Sequence, residues 1–299
     1  MALRTRFSTS PTATLRGTGA SVARGGERGR RRRFVLAGVA VATACAGWIA
    51  FCGFQWGWGP FARLHDVKTA GLPGNAERYS LENVESDEAS PLRGRRIAFL
   101  GSSVTYGAAA QGTSFVDYLV KKDGVVATKD AVSGTKLVDD APDSYLSRLR
   151  NLEPGEGLDL LVCQLSTNDA SQGKELGEVS TSFAAEDFDT GTVAGAIEYV
   201  IAYARDTWGC PVVFYTSPRY DSERYRQMVD LLAQVQAKWG VQVIDMWDDD
   251  SCNSIGDEQR SLYMADDIHP TKAGYLEWWL PYFEDGLEEA VGEQETGDA

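Results

Sequence analysis

Arg96-Ile97-Ala98-Phe99-Leu100-Gly101-Ser102-Ser103-Val104-Thr105-Tyr106-Gly107 runs from an apolar stretch into a glycine, two serines and a second glycine. A short apolar run closed by turn residues reads as a buried strand, and the glycines permit a tight turn that presents a hydroxyl. A serine hydroxyl is a weak nucleophile until a neighbouring base takes its proton. Ser103 therefore carries chemistry only if the rest of the chain supplies a base, and donors for the charge that attack creates. Alone, Gly-Ser-Ser reads first as an ordinary turn.

Outward from this stretch, strand and helix patterns alternate. Further apolar strands are expected at 125–132, 158–165, 212–215 and 241–246, beside 97–100. Val193, Ile197, Val200, Ile201 and Ala204 share one helical face, as do Tyr225, Met228, Leu231, Leu232 and Val235. Leu276, Trp279, Leu280, Phe283 and Leu287 continue in a last helix, which Pro281 should kink or split. Five short strands separated by helices imply an α/β fold with a five-stranded parallel sheet covered on both faces. Such sheets bind ligands beyond the carboxyl ends of their strands.

The candidate base is His269, one of two histidines in the chain and the single one in the α/β region. Asp266, three residues earlier, is within a turn's reach of the imidazole and can fix its tautomer, with Asp267 as a second candidate. Two further polar turns follow strands: Ser133-Gly134-Thr135, where a glycine lets a backbone N–H approach a ligand, and Ser166-Thr167-Asn168-Asp169, where the Asn168 amide can donate. Each alone is an ordinary strand-ending turn. With Ser103 they place three polar turns where the sheet rule puts a site.

These blocks resemble those of the SGNH hydrolases, also called GDSL esterases and lipases. Gly101-Ser102-Ser103-Val104-Thr105 is similar to block I, Gly134 to the block II glycine, Asn168 to the block III asparagine and Asp266-x-x-His269 to the block V pair, in the family's order. The resemblance spans residues 95–281. It implies a three-layer α/β/α sandwich of flavodoxin-like type, a Ser103-His269-Asp266 triad, and no cofactor. It also implies an oxyanion hole made by the N–H groups of Ser103 and Gly134 with the Asn168 side chain. Two positions depart from the pattern: Ser102 stands where relatives carry Asp, and Ser166 where block III usually has Gly.

The N-terminal region is built differently. Residues 1–33 carry nine Arg and one Glu, a local charge of +8, and read as a disordered cytoplasmic tail. Residues 34–54 hold no charge; as a helix they would be about 31 Å long, enough to span a bilayer. Arginines 30–33 precede this segment and aromatic residues crowd its far end, so the expectation is a single-pass anchor with the catalytic domain outside the cell. A cleaved twin-arginine or lipoprotein signal is the alternative, and it also exports the domain. Residues 55–93, with His65, read as a spacer, 94–290 as the hydrolase domain and 291–299 as an acidic tail.

Without the tail the chain carries −22, a balance that repels nucleic acid and anionic membrane surfaces and argues against both as substrates. The five cysteines form no CxxC pair or His-containing cluster, so no metal site is expected. Cys210 and Cys252 are either free thiols or a disulfide. Residues 170–192 read as a substrate-cover loop or a plain surface connection. The apolar residues noted there are Leu176, Val179 and Phe183, so the expected substrate is a short acyl ester, for instance acetyl, on a small molecule or cell-surface saccharide. The alternatives are a lysophospholipase or lipase, an O-acyltransferase using the same residues, and a non-catalytic surface-binding domain. No interface pattern assigns an oligomeric state.

Overall fold

The structure is a computed structural model that describes residues 68–153 and 157–297, with Phe34, Thr43 and residues 45–49; of 293–297 only the backbone is described. Those few residues near the N-terminus are helical and exposed. The remainder of the segment expected to cross a membrane lies outside the described residues, as do the basic tail and residues 55–67 with His65. Among the described residues no helix is long and apolar enough to cross a membrane.

Five parallel strands form one sheet: β1 (Arg96–Gly101), β2 (Val126–Ala131), β3 (Leu160–Gln164), β4 (Val212–Tyr215) and β5 (Gln242–Ile244), in the order β2-β1-β3-β4-β5. The helices are α1 (Ser103–Tyr106), α2 (Phe115–Asp123), α3 (Tyr145–Leu149), α4 (Thr167–Ser171), α5 (Val193–Trp208), α6 (Glu223–Trp239), α7 (Asp257–Tyr263) and α8 (Leu280–Gly297). Strand alternation divides the core in two. Ile97, Phe99, Val162 and Tyr215 pack with α2 and the start of α8, whereas Ala98, Leu100, Cys163 and Phe214 pack with α3, α5 and α6. The result is the three-layer α/β/α arrangement.

Several local features differ from expectation. β5 stops at Ile244 because the Asp245 carboxylate accepts the N–H groups of Trp247 and Asp248, which turns the chain. The last helix runs on through Pro281, but it changes type beside it. A π-helical turn, Gly274–Trp279, leads straight into α8 at Leu280, whose N–H bonds the Tyr275 carbonyl, so the ladder is rearranged one residue before the proline that cannot donate to it. Helix α2, not among the helices expected from the sequence, begins with a capping box: Ser114 N–H donates to Asp117 Oδ2 at 2.7 Å, and Val116 N–H donates to Ser114 Oγ. Cys210 and Cys252 are free thiols in the two different cores, on opposite faces of the sheet, which keeps them from pairing.

Residues 68–93, inside the segment read as spacer, fold as three short 3₁₀ turns that deliver Tyr79, Val84 and Leu92 to the core. Asn75 fastens this segment. Its Nδ2 donates to the carbonyls of Thr69 and Ala109, and its Oδ1 accepts the N–H of Lys272. Gly74 permits the contact, since a Cβ there would lie 2.0 Å from the Leu262 carbonyl oxygen.

Candidate active site

Ser103 opens α1 immediately beyond the carboxyl end of β1. At that first helical position its N–H has no intrahelical acceptor. The turn into α1 is tight enough that a Cβ on Gly101 would lie 1.7 Å from Thr105 Oγ1, so only glycine fits. Ser103 itself is 8% exposed.

The structure brings His269 to this serine across 166 residues of sequence: Ser103 Oγ and His269 Nε2 are 2.8 Å apart. On the other side of the ring, His269 Nδ1 lies 2.9 and 3.0 Å from the two Asp266 carboxylate oxygens. Asp266 Oδ1 also accepts the N–H groups of Ile268 and His269, each at 2.8 Å, which curls the loop around the carboxylate. Partial desolvation by the surrounding loop opposes charge on Asp266, although half of its side chain is exposed. The His269 bond, the His269 charge and the two amides outweigh it and hold the carboxyl down at about 2. Asp267 makes none of these contacts; with Asp266, Asp257 and Arg260 it lines an open hollow of about 290 Å³. With Asp266 bonded to Nδ1, Nε2 is left to face the serine hydroxyl.

Gly134, on the loop after β2, and Asn168, in α4 after β3, stand at the same end of the sheet. Gly134 has φ +83°, open to glycine at little cost, and follows β2, which pairs with β1. Asn168, in α4 after β3, donates Nδ2 to the Thr135 carbonyl at 2.9 Å, which ties the two loops together. Ser166, where the resemblance leads one to expect glycine, caps α4 by accepting the Asp169 N–H. Ser102, in the place of the usual Asp, is fully buried and bonded to Gln164.

Three residues that shape this end of the sheet were not singled out from the sequence. Arg148 on α3 donates to the Gly101 carbonyl at 2.8 Å, to Thr135 Oγ1 and to the Asp130 side chain and carbonyl, so one guanidinium pins β1, β2 and the Gly134 loop. The buried Asp169 carboxylate accepts the N–H groups of Leu137 and Val138. Burial nonetheless raises its carboxyl above the ordinary value. Gln164 lies under the turn that carries Ser102 and Ser103. The one available signal was that charged or amide side chains fall within apolar runs or directly after them, where a polar group must have a partner.

A cavity of about 430 Å³ lies far from this chemistry, at the amino ends of β4 and β5 between Cys210 and Gln242. None of the triad-like residues lines it.

A GDSL-like lipase/acylhydrolase family model matches residues 99–276. The chain belongs to that family, among the SGNH hydrolases, and is a hydrolase acting on ester bonds. One solved structure is 24% identical, with a TM-score of 0.56, over 66% of this chain and 98% of its own. A protein from Lactobacillus plantarum is 20% identical, with a TM-score of 0.55, over 67% and 98%. A protein from Bacteroides ovatus named for its likeness to GDSL lipases is 15% identical, with a TM-score of 0.48, over 65% and 98%. The first two similarities concern the fold. No curated protein matches the chain.

Proposed function

We propose that the protein is a serine esterase in which Ser103 is the nucleophile, His269 the general base and Asp266 its orienting partner. The observation that carries this reading is the continuous chain from Ser103 Oγ to His269 Nε2 at 2.8 Å and from His269 Nδ1 to Asp266 at 2.9 Å. His269 takes the Ser103 proton as the oxygen attacks the ester carbonyl. The N–H groups of Ser103 and Gly134 and the Asn168 amide stabilise the oxyanion. His269 then protonates the leaving alcohol, and water repeats both steps on the acyl-enzyme.

The substrate in this reading is a short acyl ester, acetyl being the simplest, on a saccharide or another polar alcohol. The loop after Asn168 favours a short acyl group, because it offers little free apolar surface. Leu176 and Val179 pack against the core, and Phe183, half exposed, stands edge-on to Trp239 at 4.8 Å. A long chain would find one open aromatic face there and no apolar channel. Export or anchoring through residues 34–54 belongs to the same proposal, supported by arginines 30–33 ahead of an uncharged segment.

The deciding experiment assays Ser103→Ala against esters of graded chain length and acetylated saccharides, with fluorophosphonate labelling in parallel. The expected result is loss of both turnover and label in a folded protein, with wild-type activity greatest on acetyl esters. Undiminished hydrolysis by the variant would remove Ser103 from the mechanism.

A further inference from the structure

We propose that Gln164 is a positioning residue that aims the Ser103 N–H at the developing oxyanion; the proposal rests on the triad reading given above. Gln164 is the last residue of β3, fully buried, and its side chain reaches the turn at the end of β1. Its Oε1 accepts the Ser102 N–H at 2.8 Å, Thr105 Oγ1 at 2.9 Å, and the hydroxyls of Ser102 and Tyr145 at 3.3 Å each. Four donors converge on one carbonyl oxygen. The orientation of the amide follows, because a backbone N–H can only donate and would oppose a flipped NH₂ group.

The other half of the amide is the telling part. Gln164 Nε2 is buried and has no hydrogen-bond partner among the described residues. A residue present only to fill space could be Met or Leu and strand no donor. An orphaned NH₂ is retained for what the oxygen does.

That oxygen fixes one side of Ser102, and α1 fixes the other. The Ser102 carbonyl accepts the Tyr106 N–H at 2.9 Å. In a trans peptide the C=O and the following N–H point in opposite directions, so this bond turns the Ser103 N–H away from the helix. With the preceding peptide held by Gln164 and the following one by Tyr106, Ser102 stays at φ −119°, ψ −140° and the Ser103 N–H cannot swing. Gly101 makes the arrangement possible, since a Cβ there would come within 2.8 Å of Gln164 Oε1. Thr105 is itself braced by the Tyr215 hydroxyl at 2.6 Å. Gln164 makes no hydrogen bond to Ser103 Oγ, His269 or Asp266, so it acts through the backbone.

The test uses Gln164→Met in the full chain, with kcat, KM and the pH profile measured on p-nitrophenyl acetate. Loss of one oxyanion donor costs about 10²–10³-fold in kcat, so a misaimed one should cost about 10–100-fold. KM should stay within about twofold and the acid limb of the profile should not move, because the His269–Asp266 pair is untouched. Gln164→Glu, which keeps an acceptor oxygen, should recover most of the loss. Wild-type kcat in folded Gln164→Met overturns the proposal, as does a displaced acid limb or a folded Gln164→Glu no better than Gln164→Met. Should Gln164→Met not fold, Gln164→Asn, which withdraws the acceptor by one methylene, must show the same selective loss of kcat. Failure of both to fold overturns the proposal in favour of a purely structural role. Ser103→Ala is scored separately: if it still hydrolyses ester, the triad reading itself falls, whatever Gln164 does.

Discussion

Asp169 Oδ2 accepts the N–H of Leu137 at 2.7 Å across 32 residues of sequence, and Oδ1 accepts Val138 at 3.1 Å. The neighbouring Asn168 donates to Thr135. Two consecutive side chains therefore clamp the loop that carries Gly134 onto the end of β3. Asp169→Ala should leave two buried N–H groups unpaired, a loss of about 2–4 kcal/mol by thermal or urea unfolding. It should also lower kcat, because Gly134 loses its fixed place beside Asn168. Unchanged stability would mean that water replaces the carboxylate.

The order of effects within the proposed triad is a second expectation. If His269 is the base and Asp266 its orienting partner, the loss of kcat in Asp266→Asn should be about 10–100-fold smaller than in His269→Ala. Asp266 also makes stability depend on pH. Its folded carboxyl lies near 2, below the ordinary value of 3.8, so it contributes stability above that value and loses it as pH falls towards 2. The side chain is 55% exposed, which limits the contribution to about 1 kcal/mol. The difference in Tm between wild type and Asp266→Asn should accordingly shrink between pH 5 and pH 2.

The opposite sign is expected at the end of α2. Asp123 and Glu284 are packed with Lys122, and burial raises both carboxyls above their ordinary values. A raised carboxyl favours the protonated form in the folded state, so stability falls as pH climbs past the ordinary carboxylate range. Asp123 Oδ2 has no hydrogen-bond partner among the described residues. Asp123→Asn should raise Tm by about 2–4 °C at pH 7–8, equivalent to about 1 kcal/mol in a domain of this size, and should have little effect at pH 4. Calorimetry across that range decides it.

The loop after Asn168 is held down by a lysine. Lys238 Nζ bonds both the Glu198 carboxylate and the Ser182 carbonyl, and it sits 4.6 Å from the Phe183 ring centroid and 4.9 Å from that of Trp239. Glu198 is fully buried and also accepts the Ser180 N–H at 2.8 Å. Lys238→Met leaves that charge unpaired and should cost about 3–5 kcal/mol. Limited proteolysis should then cut within residues 175–190. Adding Glu198→Gln should recover part of the stability, since the stranded charge is gone.

Much of the fold was legible because strand and helix periods are local. The run 97–100 and the helical faces of Val193 and Tyr225 each declare themselves within a few turns of chain. Pro281 and Asp245 were harder. Their effects depend on a π turn before one and on the amides captured by the other, and periodicity reports neither.

The site divides along the same line. The sequence by itself determined the residue types at the strand ends: a serine after a glycine, a glycine, an asparagine, and a lone histidine three residues after an aspartate. Tertiary structure decided which groups hold them. Gln164, Asp169, Arg148 and Asn75 look in sequence like polar residues in or beside apolar runs. Each acquires meaning from acceptors or donors 13 to 197 residues away. A polar side chain's chemistry is written in its own letter, but its partner is chosen by the packing of strands that meet only in the folded sheet.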